Sequence, residues 1–238
     1  MTERLGISPR AHAPNSRSST PLSDLSTLDR AALPSDTIAL ARFLIGAYLV
    51  REPRAEYEAN SPCQERVVVR IIETEAYLVG DPGSHAFRGQ TPRNAAMFLE
   101  RGHAYVYFIY GNHYCLNVVS EGVGIGAAVL IRAAEPVRGA QTLRLRSGPA
   151  VVQRDLVRGP GRLARALAID RKFDGADLCA RGALWLATRR YNGVGEHAPE
   201  PEIGTSVRIG LTKNAEAELR FFERGNPLVS GPKRLAAN

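Results

Sequence analysis

The chain has 238 residues, 44% of them apolar, which is enough to bury a sizeable core and suits one large domain better than two small ones. Its 31 Lys and Arg against 24 Asp and Glu give a formal charge of +7, a balance suited to a polyanionic partner though shared by many soluble proteins. Three cysteines without C-x-x-C spacing give no sign of a disulfide framework or zinc site, no run approaches the ~20 apolar residues of a membrane helix, and the N-terminus lacks a signal peptide's apolar core, so a cytoplasmic protein without metal is expected.

Residues 1–32, rich in Ser, Pro, Ala and Arg and without an apolar period, read as a flexible tail, and residues 33–238 as the folded domain. Ser35 and Asp36 offer N-cap oxygens to a first helix carrying Ile38, Leu40, Ala41 and Leu44, and a strand follows around Tyr48 to Arg51. The run VVVRIIETEAY, from Val67 to Tyr77, describes a buried strand whose end turns acidic. After a Gly-rich loop, Thr91 is expected to cap a short helix beginning at Pro92 and ending before Gly102. Ala104 to Tyr110 and Tyr114 to Val119 form a hairpin closed by Gly111-Asn112-His113, with Tyr110 at its tip. A strand over Ala127 to Ala133, helical patterns over Val137 to Leu145 and Gly161 to Ile169, a surface loop over Asn192 to Gly204 and late strands near Leu184, Val207 and Leu219 complete the reading. Helices and strands intersperse without a βαβ period, so the expected class is α+β.

Glu73 and Glu75 alternate within one strand and therefore share a face, with Thr74 on the other. A lone Glu at a strand end is ordinarily a solvated charge, and paired carboxylates can also hold a metal, but neither an H-E-x-x-H pattern nor further ligands accompany these two. Tyr77, Tyr105, Tyr107, Tyr110 and Tyr114 place five of the eight tyrosines within 38 residues, offering stacking platforms for bases where packing alone would be the plain alternative. His85, Arg88 and Arg93 follow the Gly-rich loop, and Arg132 sits in an apolar strand where only a carboxylate or phosphate partner offsets its cost. Gly159-Pro160-Gly161-Arg162 reads either as a phosphate-contacting helix entrance or as a plain helix start.

The segments RIIETEAY, SHAFRGQTPRN, YVYFIYGNHYCLNVV and AVLIRAAEP, in this order and spacing, resemble the alkyladenine (3-methyladenine) DNA glycosylase family, and the resemblance runs from about Leu40 to Ser230. It implies a single compact α+β domain with a mostly antiparallel curved sheet, surrounding helices and a protruding hairpin that enters the minor groove of double-stranded DNA. By the same resemblance Tyr110 is the wedge that fills the gap left by a flipped nucleotide, Glu75 the base that activates water, and Glu73 a supporting or structural residue. Tyr77 and Tyr107 match the base-stacking partners, His85 the pocket histidine, and Asn117 the residue facing position 2 of the purine. Arg132 matches the arginine that helps hold the water, and Ile209, in SVRIGLT, the residue whose main-chain carbonyl completes the water site. The loop LVGDPGSHAF departs from the family's sequence before His85, which bears on the pocket rim.

Chemistry agrees with the resemblance. A stacked base hides its glycosidic bond and has to be extruded, after which a carboxylate can deprotonate a water without a cofactor. No lysine accompanies the motif as a Schiff-base nucleophile, so the expected enzyme is a monofunctional glycosylase that leaves an abasic strand, and it is expected to be a monomer. A non-catalytic DNA-damage binding module and a small-molecule hydrolase using Glu73 and Glu75 stand as alternatives.

Overall fold

The computed structural model describes residues 25–53, 65–109, 111, 113–189, 200–232 and 235. Among them are nine strands in one antiparallel sheet and three α-helices, the α+β arrangement expected. The strands are β1 (Leu25–Thr27), β2 (Tyr48–Arg51), β3 (Val67–Tyr77), β4 (Ala104–Ile109), β5 (His113–Val119), β6 (Ala128–Arg138), β7 (Leu184–Arg189), β8 (Ile203–Ser206) and β9 (Arg220–Glu223). The helices are α1 (Thr37–Phe43), α2 (Ala140–Ser147) and α3 (Pro160–Ala166).

Strand β3 is the axis of the sheet, as its apolar, β-branched first half requires. One edge pairs with β6 along most of its length, and the other is shared by β2, against Val67–Arg70, and β9, against Glu73–Glu75. The order β1-β7-β2-β3-β6-β5-β4 continues outward from it, with β8 on β9. The register of β3 on β6 slips at Ile72 and again at Arg132, so Arg132 stands in the ladder without a strand partner, beside Glu73 and Thr74. A bulge of this kind re-aims a side chain and bends the strand. A third slip falls at Val137, next to Pro136, and lets β6 carry a proline on to Arg138. The helix expected from Val137 therefore starts later, at Ala140, after Gly139 turns the chain with φ +78°.

The main core lies between the sheet and the helices, where Leu40, Leu44, Ile71, Leu116, Ile131 and Leu163 are all fully buried. Asp36 caps α1 by accepting from Ala39 N–H at 2.7 Å, and Pro160 opens α3, both as their positions predict. Thr74 points away from the glutamates and donates to the Ala41 carbonyl at 2.8 Å, confirming the alternation of β3.

Hairpin β4–β5 pairs Ala104 with Val118 through Ile109 with His113, so His113 belongs to the strand and the connection is residues 110–112. Gly111 takes φ +73°, the left-handed turn conformation that glycine adopts freely. Tyr110 and Asn112 lie outside the described residues. Only Asn117–Val119 of β5 pair with β6, so among the described strands the distal half of the hairpin stands off the sheet. The helix expected at Pro92 is instead a single 3-10 turn over Ala95–Phe98. Thr91 does not cap it. Asn94 Oδ1 accepts from the Thr91 amide and hydroxyl and tightens the preceding loop instead.

The tail expected over residues 1–32 is folded in its last eight positions. Leu25–Thr27 pair with β7, Leu25 and Leu28 are buried, and Arg30 bridges Asp177 at 2.7 Å. These short contacts have no periodicity of their own, since β7 and the 177 region supply the other half of each. Residues 1–24 lie outside the described residues, as does most of the loop expected over Asn192 to Gly204, of which Ile203 and Gly204 belong to β8. Deleting residues 1–32 is expected to lower unfolding stability by about 3–6 kcal/mol relative to deleting residues 1–24, the burial of two leucines. Urea unfolding of the two truncations measures this, and equal midpoints would show that the segment contributes nothing.

Candidate active site

The site is built where β3 passes between β6 and β9. Glu73 and Glu75 are both fully buried on the same face, so each charge needs partners. Glu73 Oε1 accepts from Arg132 Nε at 3.0 Å, Arg220 Nε at 2.7 Å and the Ser230 hydroxyl at 2.9 Å, and its Oε2 accepts from the Ser230 amide at 2.6 Å. Arg220 spends its remaining donors on the Ser206 hydroxyl and the carbonyls of Ser230 and Leu235. Glu73 is thus an internal anchor, with every partner drawn from the protein interior.

Glu75 is held differently. Its Oε1 accepts from the Ile209 main-chain N–H at 2.8 Å and lies 3.1 Å from Arg132 Nη1, while its Oε2 accepts from the Tyr77 hydroxyl at 3.0 Å. Burial raises the carboxyl above the usual glutamate range, only partly opposed by Arg132, the Ile209 N–H and the Tyr77 hydroxyl. Burial likewise pushes the Tyr77 phenol upward, so it remains a donor to Glu75 at neutral pH.

Above the carboxylate opens a cavity of about 470 Å³. Tyr77, His85, Tyr107, Asn117, Arg132 and Ile209, all singled out by the sequence, line it together. Glu75 lies behind this lining and touches it through Tyr77, Arg132 and Ile209. Tyr110 is outside the described residues, and Ile209 reaches Glu75 by its N–H rather than by the carbonyl that the resemblance emphasises.

The cavity walls are cross-braced. The Tyr105 and Tyr107 rings stack 5.5 Å apart, as their shared face implies, and the His85 ring meets Tyr107 edge-on at 4.5 Å. His85 Nδ1 lies 2.8 Å from the Tyr105 hydroxyl, whose own ionisation burial pushes up to about 12. Desolvation and the charge of Arg93 hold the His85 imidazole below its ordinary value, so near neutral pH it is uncharged. Asn94 donates to the His85 carbonyl at 2.9 Å and to the Gly89 carbonyl at 3.1 Å, fixing the loop that carries the histidine. Asn117 Nδ2 donates to the Tyr105 carbonyl at 3.0 Å across the hairpin, which sets the orientation of its amide.

Sequence reasoning missed several contributors. Asn94 gave a signal only as part of the TPRN segment, while Met97, Cys115 and Leu130 are apolar or soft liners indistinguishable from core by pattern. The ambiguous Gly159-Pro160-Gly161-Arg162 segment does reach the cavity rim. Arg88 and Arg93 are exposed, and Arg93 approaches the Phe108 carbonyl at 3.5 Å.

The family model for methylpurine-DNA glycosylase matches residues 31–227. A protein of Mesorhizobium japonicum is 52% identical over 87% of this chain and 91% of its own length. One of Paraburkholderia phytofirmans is 46% identical over 85% and 87%, and one of Carboxydothermus hydrogenoformans 41% identical over 85% and 98%. Each is provisionally named a 3-methyladenine DNA glycosylase.

The two glutamates are expected to differ in stability. Glu73→Gln leaves Arg220 and Arg132 under-compensated in the interior and lowers unfolding free energy by about 3–5 kcal/mol. For Glu75 the sign is opposite. A carboxyl whose folded pKa is raised contributes stability at low pH that is lost as pH rises through that value, so its ionised form is a cost at pH 7. Glu75→Gln should match or exceed the parent's stability at pH 7. Denaturant unfolding of both variants tests the division, and equal losses would refute it.

Proposed function

The chain belongs to the methylpurine-DNA glycosylase family and is a DNA glycosylase of base excision repair, and we propose that it flips alkylated or deaminated purines into the cavity and hydrolyses their glycosidic bond. The observation that supports this reading is a buried carboxylate, Glu75, bonded to three groups that line an aromatic cavity wide enough for a purine.

In this mechanism the flipped base stacks on Tyr77 and Tyr107, and Tyr110 at the hairpin tip takes its place in the duplex. Glu75 accepts a proton from a water that Arg132 and the Ile209 carbonyl help to hold. The water oxygen bonds to C1′ as the bond from C1′ to the base breaks, and the base leaves with that electron pair. A cationic alkylpurine is neutralised by this departure, and the DNA strand remains intact with an abasic site. The raised affinity of Glu75 for a proton suits the task, since a base poised nearer neutrality takes the water's proton more readily. With Nδ1 of an uncharged His85 accepting from the Tyr105 hydroxyl, Nε2 carries the ring proton and presents a donor to the base. The enzyme acts in this reading as a monomer, without a cofactor.

Glu75→Gln is expected to abolish excision from defined-lesion duplexes, scored as abasic sites cleaved by alkali, while binding stays within a few-fold. Retained excision would remove Glu75 from its role. Because the base works only when ionised, the single-turnover rate of the parent should fall on acidification from a pH above the usual glutamate range. A rate that stays flat down to that range contradicts the assignment.

In this reading Asn117, braced against Tyr105, faces position 2 of the flipped purine and rejects guanine by exclusion of its 2-amino group rather than by attraction. Asn117→Ser should gain measurable release of undamaged guanine from mismatched duplexes, the discrimination being ~1–3 kcal/mol. A folded variant that gains none places the filter elsewhere.

A further inference from the structure

Behind Tyr77 lies an ion pair that the reaction as described does not use. Arg208 and Asp81 are both buried, 3% and 4% exposed, and are joined through both carboxylate oxygens, Nη2 to Oδ1 at 3.1 Å and Nη1 to Oδ2 more closely still. Arg208 Nη1 also donates to the Ala76 carbonyl at 3.0 Å, and its guanidinium carbon lies 4.7 Å from the centre of the Tyr77 ring. Tyr77 lines the cavity and Arg208 does not, so the cation occupies the ring face turned away from the cavity. Asp81 accepts further from the Gly83 amide at 2.9 Å and Asn214 Nδ2 at 3.0 Å, which fixes its position.

Resting on the reading of Tyr77 as a stacking face, we propose that Asp81 sets the balance between cationic and neutral lesions by neutralising Arg208 behind the Tyr77 ring. An aromatic face attracts a cation through its π density. A cation already on one face draws on the same density and repels a second across the ring. In a buried setting that repulsion is little screened, whereas a bidentate pair presents no net charge. Purine nucleotides alkylated at N3 or N7 are cationic, and hypoxanthine is neutral. An unneutralised Arg208 therefore penalises the first class and spares the second. The other charges near the ring, Glu75 and Arg132, belong with Glu73 and Arg220 to a set of two anions and two cations that leaves no net charge.

A purely structural role for the pair predicts something else, because a loosened loop before His85 slows both lesion classes alike. The test compares single-turnover excision of 7-methylguanine and of hypoxanthine from otherwise identical duplexes, and reads their ratio. Asp81→Asn, which leaves the arginine charge bare, is expected to lower the 7-methylguanine to hypoxanthine ratio by about tenfold. Arg208→Gln, which leaves the carboxylate bare, raises it. The double variant returns the ratio to within about twofold of the parent whatever its absolute rates. Either single variant that melts cooperatively supplies a charge state to set against the parent. A ratio unchanged in the folded single variants, or one not restored in the double variant, overturns the proposal. Tyr77→Leu separates the two levels of the argument. If it leaves both rates at the parent's values, the stacking reading is wrong. If it lowers both while the charge variants hold the ratio fixed, the stacking reading stands and the Asp81 inference falls.

Discussion

Two carboxylates and two guanidinium groups share the interior where β3 passes between β6 and β9, and the cost of burying them organises what surrounds them. An unpaired charge there is untenable, so each anion must meet cations and each cation must finish its donors on oxygen. The demand explains why β6 breaks register at Arg132, why Arg220 opens β9, and why Ser230 turns its amide and hydroxyl inward. It also divides labour between chemically identical side chains two residues apart. Glu73 takes the stronger set of partners and becomes an anchor. Glu75 is left with less than full compensation, and that deficit makes its carboxylate a better proton acceptor.

Much of this was legible because strand alternation is a rigid rule. Placing Glu73 and Glu75 on one face and Thr74 on the other needed only the period of β3, and Tyr105 and Tyr107 stack for the same reason. The cavity-lining residues were legible in a different way, through long motifs that resemble a family, and six of the residues picked out by those motifs line one cavity. What stayed hidden depends on partners distant in sequence. The bulge at Arg132 is a property of two strands together. Arg208 and Asp81 are 127 positions apart, and neither residue advertises the other. The order at Leu25–Thr27 comes from β7, so a local search for apolar period reads those residues as tail. At Thr91 and Pro92 the local signal was real but lost to a tertiary demand, since Asn94 is committed to the His85 loop rather than to a helix start.

The cavity itself is pre-formed. Its walls come from β3, the loop at His85, the hairpin, β6 and the segments around residues 159 and 209, and each is tied to a neighbour by hydrogen bonds or ring contacts. A site held in this way needs little reorganisation when a ligand arrives, so ordering it costs little of the binding energy. The hairpin standing off the sheet complements this rigidity. Its root, at Asn117 and Tyr105, belongs to the cavity wall, so the distal hairpin and the cavity share one stiff element.

The order in which the chain is made adds a constraint of its own. Glu73 and Glu75 leave the ribosome early, yet the hydrogen bonds that compensate Glu73 require Arg220 and Ser230, and those of Arg220 extend to the Leu235 carbonyl. Until residues 220–235 emerge, closing the sheet around β3 would leave Glu73 short of partners in an apolar interior, with Arg132 as its one cation among the described residues. The cluster around Glu73 can therefore be completed only after residues 220–235 have been made. A nascent chain that has not reached Ser230 is barred from completing this charge cluster behind the cavity.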